Sequence, residues 1–144
     1  MIEFKIQIQQ PKNLLEEDAS FSLGWFEFSV KGFTGCFFRD KYCMVLLTLG
    51  NLIEHLDALR RAQKAQERWV GEDHGATIQM TREKDVLELC VAEVVIHVPY
   101  QPFKTAVLNT AKTFMDECIN LNPSIQQESA FEGLTNVFRA LRVE

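Results

Sequence analysis

Apolar and polar side chains alternate from the start of the chain, with Ile2, Phe4, Ile6 and Ile8 on one side and Glu3, Lys5 and Gln7 on the other. A period of two is that of a strand with one wet face. Pro11 ends the pattern, and the polar stretch 12–20 reads as a connection. Alternation resumes with Phe26, Phe28 and Val30 set against Trp25, Glu27 and Ser29. A turn at Lys31-Gly32 would return the chain through 33–38, and 42–47 reads as its continuation or as a separate strand beyond Arg39-Asp40-Lys41.

The period then changes to that of a helix. Leu49, Leu52, Ile53, Leu56 and Leu59 form an apolar stripe, with Asp57, Arg60, Arg61, Lys64 and Glu67 mostly away from it. Thr48 is the expected cap, and the helix is expected to run to about Arg68 before Gly71 and the cluster Glu72-Asp73-His74-Gly75. Alternation returns with Ala76, Ile78 and Met80, a charged turn over 82–85, a return strand through Leu87, Leu89 and Val91, and another strand over 94–98. Gln101-Pro102 and Asn122-Pro123 read as two helix entries, because proline suits the first helical turn, where its missing amide hydrogen is not needed. The apolar faces of these helices are Phe103, Val107, Phe114, Met115 and Cys118, then Phe131, Leu134, Val137, Phe138 and Leu141.

The order strands, helix, strands, helix, helix predicts an α+β fold. We expect one antiparallel sheet of about five to seven strands, a central amphipathic helix and two C-terminal helices, mostly packed on one face. The 144 residues, of which 47% are hydrophobic, suit a single domain over 1–144. A net charge of −5 disfavours a sequence-independent nucleic-acid binder and favours basic or neutral partners. No apolar run reaches the roughly 20 residues of a membrane span, and the charged start Met-Ile-Glu-Phe-Lys does not read as a secretory signal. A cytoplasmic protein is therefore expected.

Candidate chemistry is sparse. Cys36, Cys43, Cys90 and Cys118 lack the spacing of a zinc site and read as small core hydrophobes, with Cys36 the best alternative nucleophile. Asn51 and His55 lie one helical turn apart beside Glu54, yet the second histidine of a metalloprotease helix is missing. The cluster Glu72, Asp73 and His74 reads as a solvated loop. His97 reads as a satisfied strand histidine, because no carboxylate stands at a spacing in sequence that would orient it. The pairs Glu16-Glu17 and Asp116-Glu117 read as surface charge, and the stripe Arg60, Lys64, Arg68 as a solvated helix face paired in part with Asp57 and Glu67. No glycine-rich phosphate loop or nucleophile elbow is present. No cofactor, metal or catalytic residue is assigned.

A partner surface has more support. Phe37 and Phe38 are consecutive in an expected strand and should point to opposite faces, and Trp25 lies opposite Phe26 by the same rule. An aromatic patch is then left for a terminal helix, a partner protein or a second copy, rimmed by Glu16, Glu17, Asp18, Glu72 and Asp73.

The run Gly24-Trp25-Phe26-Glu27-Phe28-Ser29-Val30, the turn Phe33-Thr34-Gly35, the helix Leu49-Gly50-Asn51-Leu52-Ile53-Glu54-His55-Leu56 and the hairpin 76–91 together resemble the small immunity proteins of bacterial polymorphic toxin systems. The likeness covers the central half of the chain and rests on element order. It implies a non-enzymatic inhibitor that occludes the active site of a cognate toxin, a basic domain masked by an acidic surface. Two alternatives stand beside it: an acidic cytosolic chaperone for a secreted effector, and a small enzyme built on Cys36 or on convergence of His55, His74 and His97.

Overall fold

The computed structural model describes residues 2–8, 22–30, 33–38, 42–61, 64–71, 77–91 and 93–142. The elements run β1 (Ile2–Ile8), β2 (Leu23–Val30), β3 (Phe33–Phe37), β4 (Cys43–Met44), α1 (Val45–Arg60), β5 (Lys64–Val70), β6 (Thr77–Glu83), β7 (Val86–Val91), β8 (Val94–Pro99), α2 (Tyr100–Leu121), a 3-10 turn (Pro123–Gln127) and α3 (Ser129–Arg142). The class is α+β, as the periodicity predicts, but the strands form two antiparallel sheets and not one. In the first, β1, β2 and β3 lie in order and β4 also pairs with β2; in the second the order is β5-β6-β7-β8.

In the first sheet, Phe4 pairs with Phe28 and Phe26 with Phe37, so the even positions of β2 share a face with the apolar residues of β1. Phe4, Phe26, Phe28, Val30 and Phe37 are buried on that face. In the second sheet, Trp69, Ile78, Met80, Leu87, Leu89, Ile96 and Val98 form the buried set. The helices pack against both: α1 touches β2, β4 and β5, α2 touches β1 and β8, and α3 packs on α1 and α2. The expected stripe Leu49, Leu52, Ile53, Leu56 and Leu59 is fully buried.

Trp69 joins the two sheets. Its ring lies 5.3 Å from Phe26, 4.9 Å from Phe37 and 5.1 Å from Phe38, centroid to centroid. Its indole N–H donates to the carbonyl of Thr48 at 2.8 Å, so the polar edge of a fully buried ring is satisfied.

Three helix boundaries differ from expectation. The first helix ends at Arg60 and not near Arg68, and Lys64–Val70 is the edge strand β5. This stretch is rich in helix formers, but pairing with β6 along its full length places Trp69 in the core, and tertiary burial outweighs propensity. The helix also begins three residues before Thr48, with Met44 at the cap position and no side-chain cap bond. Thr48 is buried inside the first turn, and of 42–47 only Cys43 and Met44 are strand. Asn122-Pro123 opens the 3-10 turn, and the last helix begins at Ser129.

Arg82, expected in a charged turn, is a buried residue of β6. Its guanidinium donates to the carbonyls of Leu59 at 2.8 Å and Lys84 at 2.7 Å and lies 3.9 Å from the centre of the Tyr100 ring. It thereby satisfies a carbonyl at the end of α1, where a cation also opposes the negative pole of the helix. The Tyr100 hydroxyl donates to Leu56 at 2.6 Å one turn earlier.

Candidate functional site

Strand alternation turns one face of the first sheet outward. On it, Leu23, Trp25, Glu27 and Ser29 of β2 are all partly exposed, with Gln7 opposite Trp25, and Lys5 and Cys36 opposite Glu27. Gln7 Nε2 donates to Glu27 Oε2 at 3.2 Å, and the Cys36 thiol lies 3.9 Å from Oε1. Both carboxylate oxygens are thus engaged within the sheet. Beside this polar row, the rings of Trp25 and Tyr42 meet at 5.4 Å, with Tyr42 40% exposed. The Leu23–Met44 pair lies next along the strands, and Leu47 in the first turn of α1 is also exposed.

Of the residues expected at a partner surface, Trp25 lies on this outer face, whereas Phe37 and Phe38 are both buried. The expectation that one of the two would face outward is corrected. Alternation stops at Phe37 because Phe38 takes a φ of 62°, leaving the extended conformation and turning its ring edge-on to Trp69. Glu16, Glu17, Asp18, Glu72, Asp73 and His74 lie outside the described residues. Tyr42 was missed because its place opposite Trp25 depends on the β2–β4 register, which local periodicity does not encode.

The described cysteine and histidine candidates do not converge. Each faces a different glutamate: Cys36 faces Glu27, His55 faces Glu67 and His97 faces Glu88. His97 does have an orienting carboxylate, 3.0 Å away across the β7–β8 ladder, which corrects the expectation of none. His55 Nδ1 lies 2.8 Å from Glu67 Oε1, linking α1 to β5. Gln66, Arg68 and Gln79 join this pair around an open pocket of about 330 Å³. A carboxylate on one ring nitrogen fixes an imidazole for hydrogen bonding or proton transfer at the other. The stripe Arg60, Lys64, Arg68 is broken between helix and strand, and Arg60 instead holds Asp57 at 2.9 Å.

A second concavity of about 600 Å³ lies between α2 and α3, lined by Met115, Ile119, Phe131 and Phe138 with Lys112 and Asp116, an ion pair at 3.0 Å, on its edge. The thiols divide sharply, since Cys43 and Cys118 are buried, Cys36 is half-buried and Cys90 is exposed, so Cys90 is not the core residue expected of it. Burial, with a smaller push from the charge of Glu117, raises the Cys118 pKa from its ordinary 9.0 to about 12. Among the described residues no group of three or more His, Cys, Asp or Glu could hold a metal ion, and no helix is long and apolar enough to cross a membrane.

The geometry thus defines an α+β protein of two antiparallel sheets with an outward aromatic pair on the first. Set against known proteins, the chain matches no family model, no curated protein and no solved structure.

Proposed function

We propose that this protein is a non-enzymatic, cytoplasmic protein-binding inhibitor whose contact surface is the outer face of the first sheet, centred on Trp25 and Tyr42. The observation that carries the reading is the outward pairing of these rings at 5.4 Å. Large aromatic side chains with methionine nearby and a polar rim are the composition of interface centres, because each buries much area for few rotatable bonds. Met44 and Leu23 extend the apolar centre, while Lys5, Gln7 and Glu27 supply the rim. Side chains held on a paired sheet lose little freedom on docking. The net charge of −5 steers a basic partner toward the molecule.

The most concrete version is an immunity protein: the sheet covers the active site of a cognate toxin and no covalent step occurs. The reading predicts a toxin gene beside this one, and that toxin provides the test. Co-expression should protect the host, and the double variant W25A/Y42A should weaken binding about 30-fold or more and abolish protection while the fold is retained. Protection that survives both substitutions would remove this surface from the function.

One observation favours a second reading. The His55–Glu67 pair on a pocket edge beside Arg68 suits a small enzyme or ligand-binding protein. Under that reading His55→Ala abolishes function and W25A/Y42A does not.

A further inference from the structure

We infer that β8 is a homodimerisation edge, on which a second copy of this chain adds its own β8 antiparallel to form one eight-stranded sheet. The argument begins with the direction of the backbone groups. The amide of Tyr100 donates to the carbonyl of Asp85 at 2.7 Å, one step beyond the Val86–Pro99 pair of the β7–β8 ladder. Amide directions alternate along a strand, so Val94, Ile96 and Val98 also turn toward β7. Val95 and His97 therefore direct both N–H and C=O toward the outer edge. In the order β5-β6-β7-β8 no described strand lies there.

A sheet edge is commonly blunted by charge, and the other terminal strands described in the two sheets differ from β8 in this respect. The first sheet ends in β1, which carries Glu3 and Lys5 and whose Phe4 carbonyl accepts from Thr110 of α2 at 2.6 Å. At the far side of the second sheet, β5 carries Lys64, Glu67 and Arg68. On β3, only Thr34 is exposed. In β8, Val-Val-Ile-His-Val-Pro, there is no Lys, Arg, Asp or Glu, and Val94 and Val95 are 46% and 52% exposed. Exposed Val86 lies on β7 beside it, opposite Pro99. The apolar strip is thus continuous with the outer edge of β8.

The occupant follows from register. In an antiparallel sheet, residues directly opposite each other share a face, so a two-fold axis must pass through a residue position. An axis at Ile96 sets Val95 against the second copy's His97 and His97 against its Val95. All four outward amide and carbonyl pairs are then used, and Ile96 meets Ile96 on the buried face. An axis at His97 would set Val95 against Pro99, which has no N–H to give, and would place imidazole against imidazole. Self-pairing at Ile96 therefore gives a partner to each outward N–H and C=O of Val95 and His97. It places no like charges opposite one another, because the strand bears no Lys, Arg, Asp or Glu and its histidine is held by Glu88 on its own copy.

Strand pairing alone covers less than a standard interface of about 1,600 Å², so dissociation should fall in the micromolar range. Sedimentation equilibrium over roughly 1–500 μM should show reversible dimerisation. In parallel, amide hydrogen exchange at Val95 and His97 should slow as concentration rises, while other surface amides stay unchanged. Val95→Pro removes an outward N–H that the internal ladder does not use, and Val95→Lys places charge at the edge. Either should weaken the dimer at least tenfold with unchanged circular dichroism, and the second serves if the first misfolds. A monomer throughout, a dimer indifferent to both substitutions, or exchange protection only when a foreign strand is added would each overturn the inference. W25A/Y42A should leave dimerisation intact, so failure here and failure of the inhibitory surface are separable.

Discussion

At the residue scale, single atoms decide which positions tolerate change. A Cβ at Gly24 would collide with the carbonyl oxygen of Gln7 on β1 and approach Val45 Cγ2 to 2.9 Å. Gly24 is thus required by the close approach of strand and helix. Gly24→Ala should cost about 1–3 kcal/mol or more, read by urea unfolding, because the obstacle is backbone and cannot rotate away. The thiols offer a second test. In the native protein, Cys90 should react with an aromatic disulfide reagent near pH 8 while Cys118 stays silent, since its pKa lies up at about 12. The sign of the linkage follows. Unfolding lets this thiol ionise near its ordinary 9.0, while the native state keeps the proton, so its contribution is whole below pH 9 and is lost as pH climbs toward 12. Cys118→Ala should flatten that part of the stability profile relative to the parent chain. Rapid labelling of Cys118 in the folded state would contradict its burial.

At the element scale, the alternating strands β1, β2 and β6 to β8 and the buried stripe of α1 were legible because periods of two and 3.6 are local properties of sequence, whereas β5 was read as helix. The ends of α1 were not legible. Its start at Val45 follows β2–β4 pairing, and the Val45 amide is satisfied by the carbonyl of Ser22, 23 positions away in sequence, at 3.0 Å. Its C-terminal end is held by Arg82, equally remote. Arg82→Met should retain the apolar contact with Tyr100 yet orphan the Leu59 and Lys84 carbonyls, costing about 1–3 kcal/mol in equilibrium unfolding. A neutral result would mean that water replaces the guanidinium at the end of α1. His55 and Glu67 illustrate the same limit: read as two polar positions of one helix, they face each other across a helix–strand contact.

For the molecule as a whole, the sheets share one buried core that includes Trp69 of β5 against Phe26, Phe37 and Phe38 of the first sheet. Unfolding should therefore be a single transition, coincident by tryptophan fluorescence and far-ultraviolet circular dichroism. Trp69→Ala should lower stability by about 3–5 kcal/mol, and two separated transitions in the parent protein would show that the sheets fold independently. Net charge, the α+β class and the buried stripes were determined by the sequence alone, because each depends on residue identity and on spacings of a few positions. The division into two sheets, the inward turn of Phe38, the pairing of Trp25 with Tyr42 and the place of β8 at the end of the described strand order were decided only in the tertiary structure. Each depends on which distant strand lies alongside, and that choice is made by the joint burial of side chains far apart in the chain.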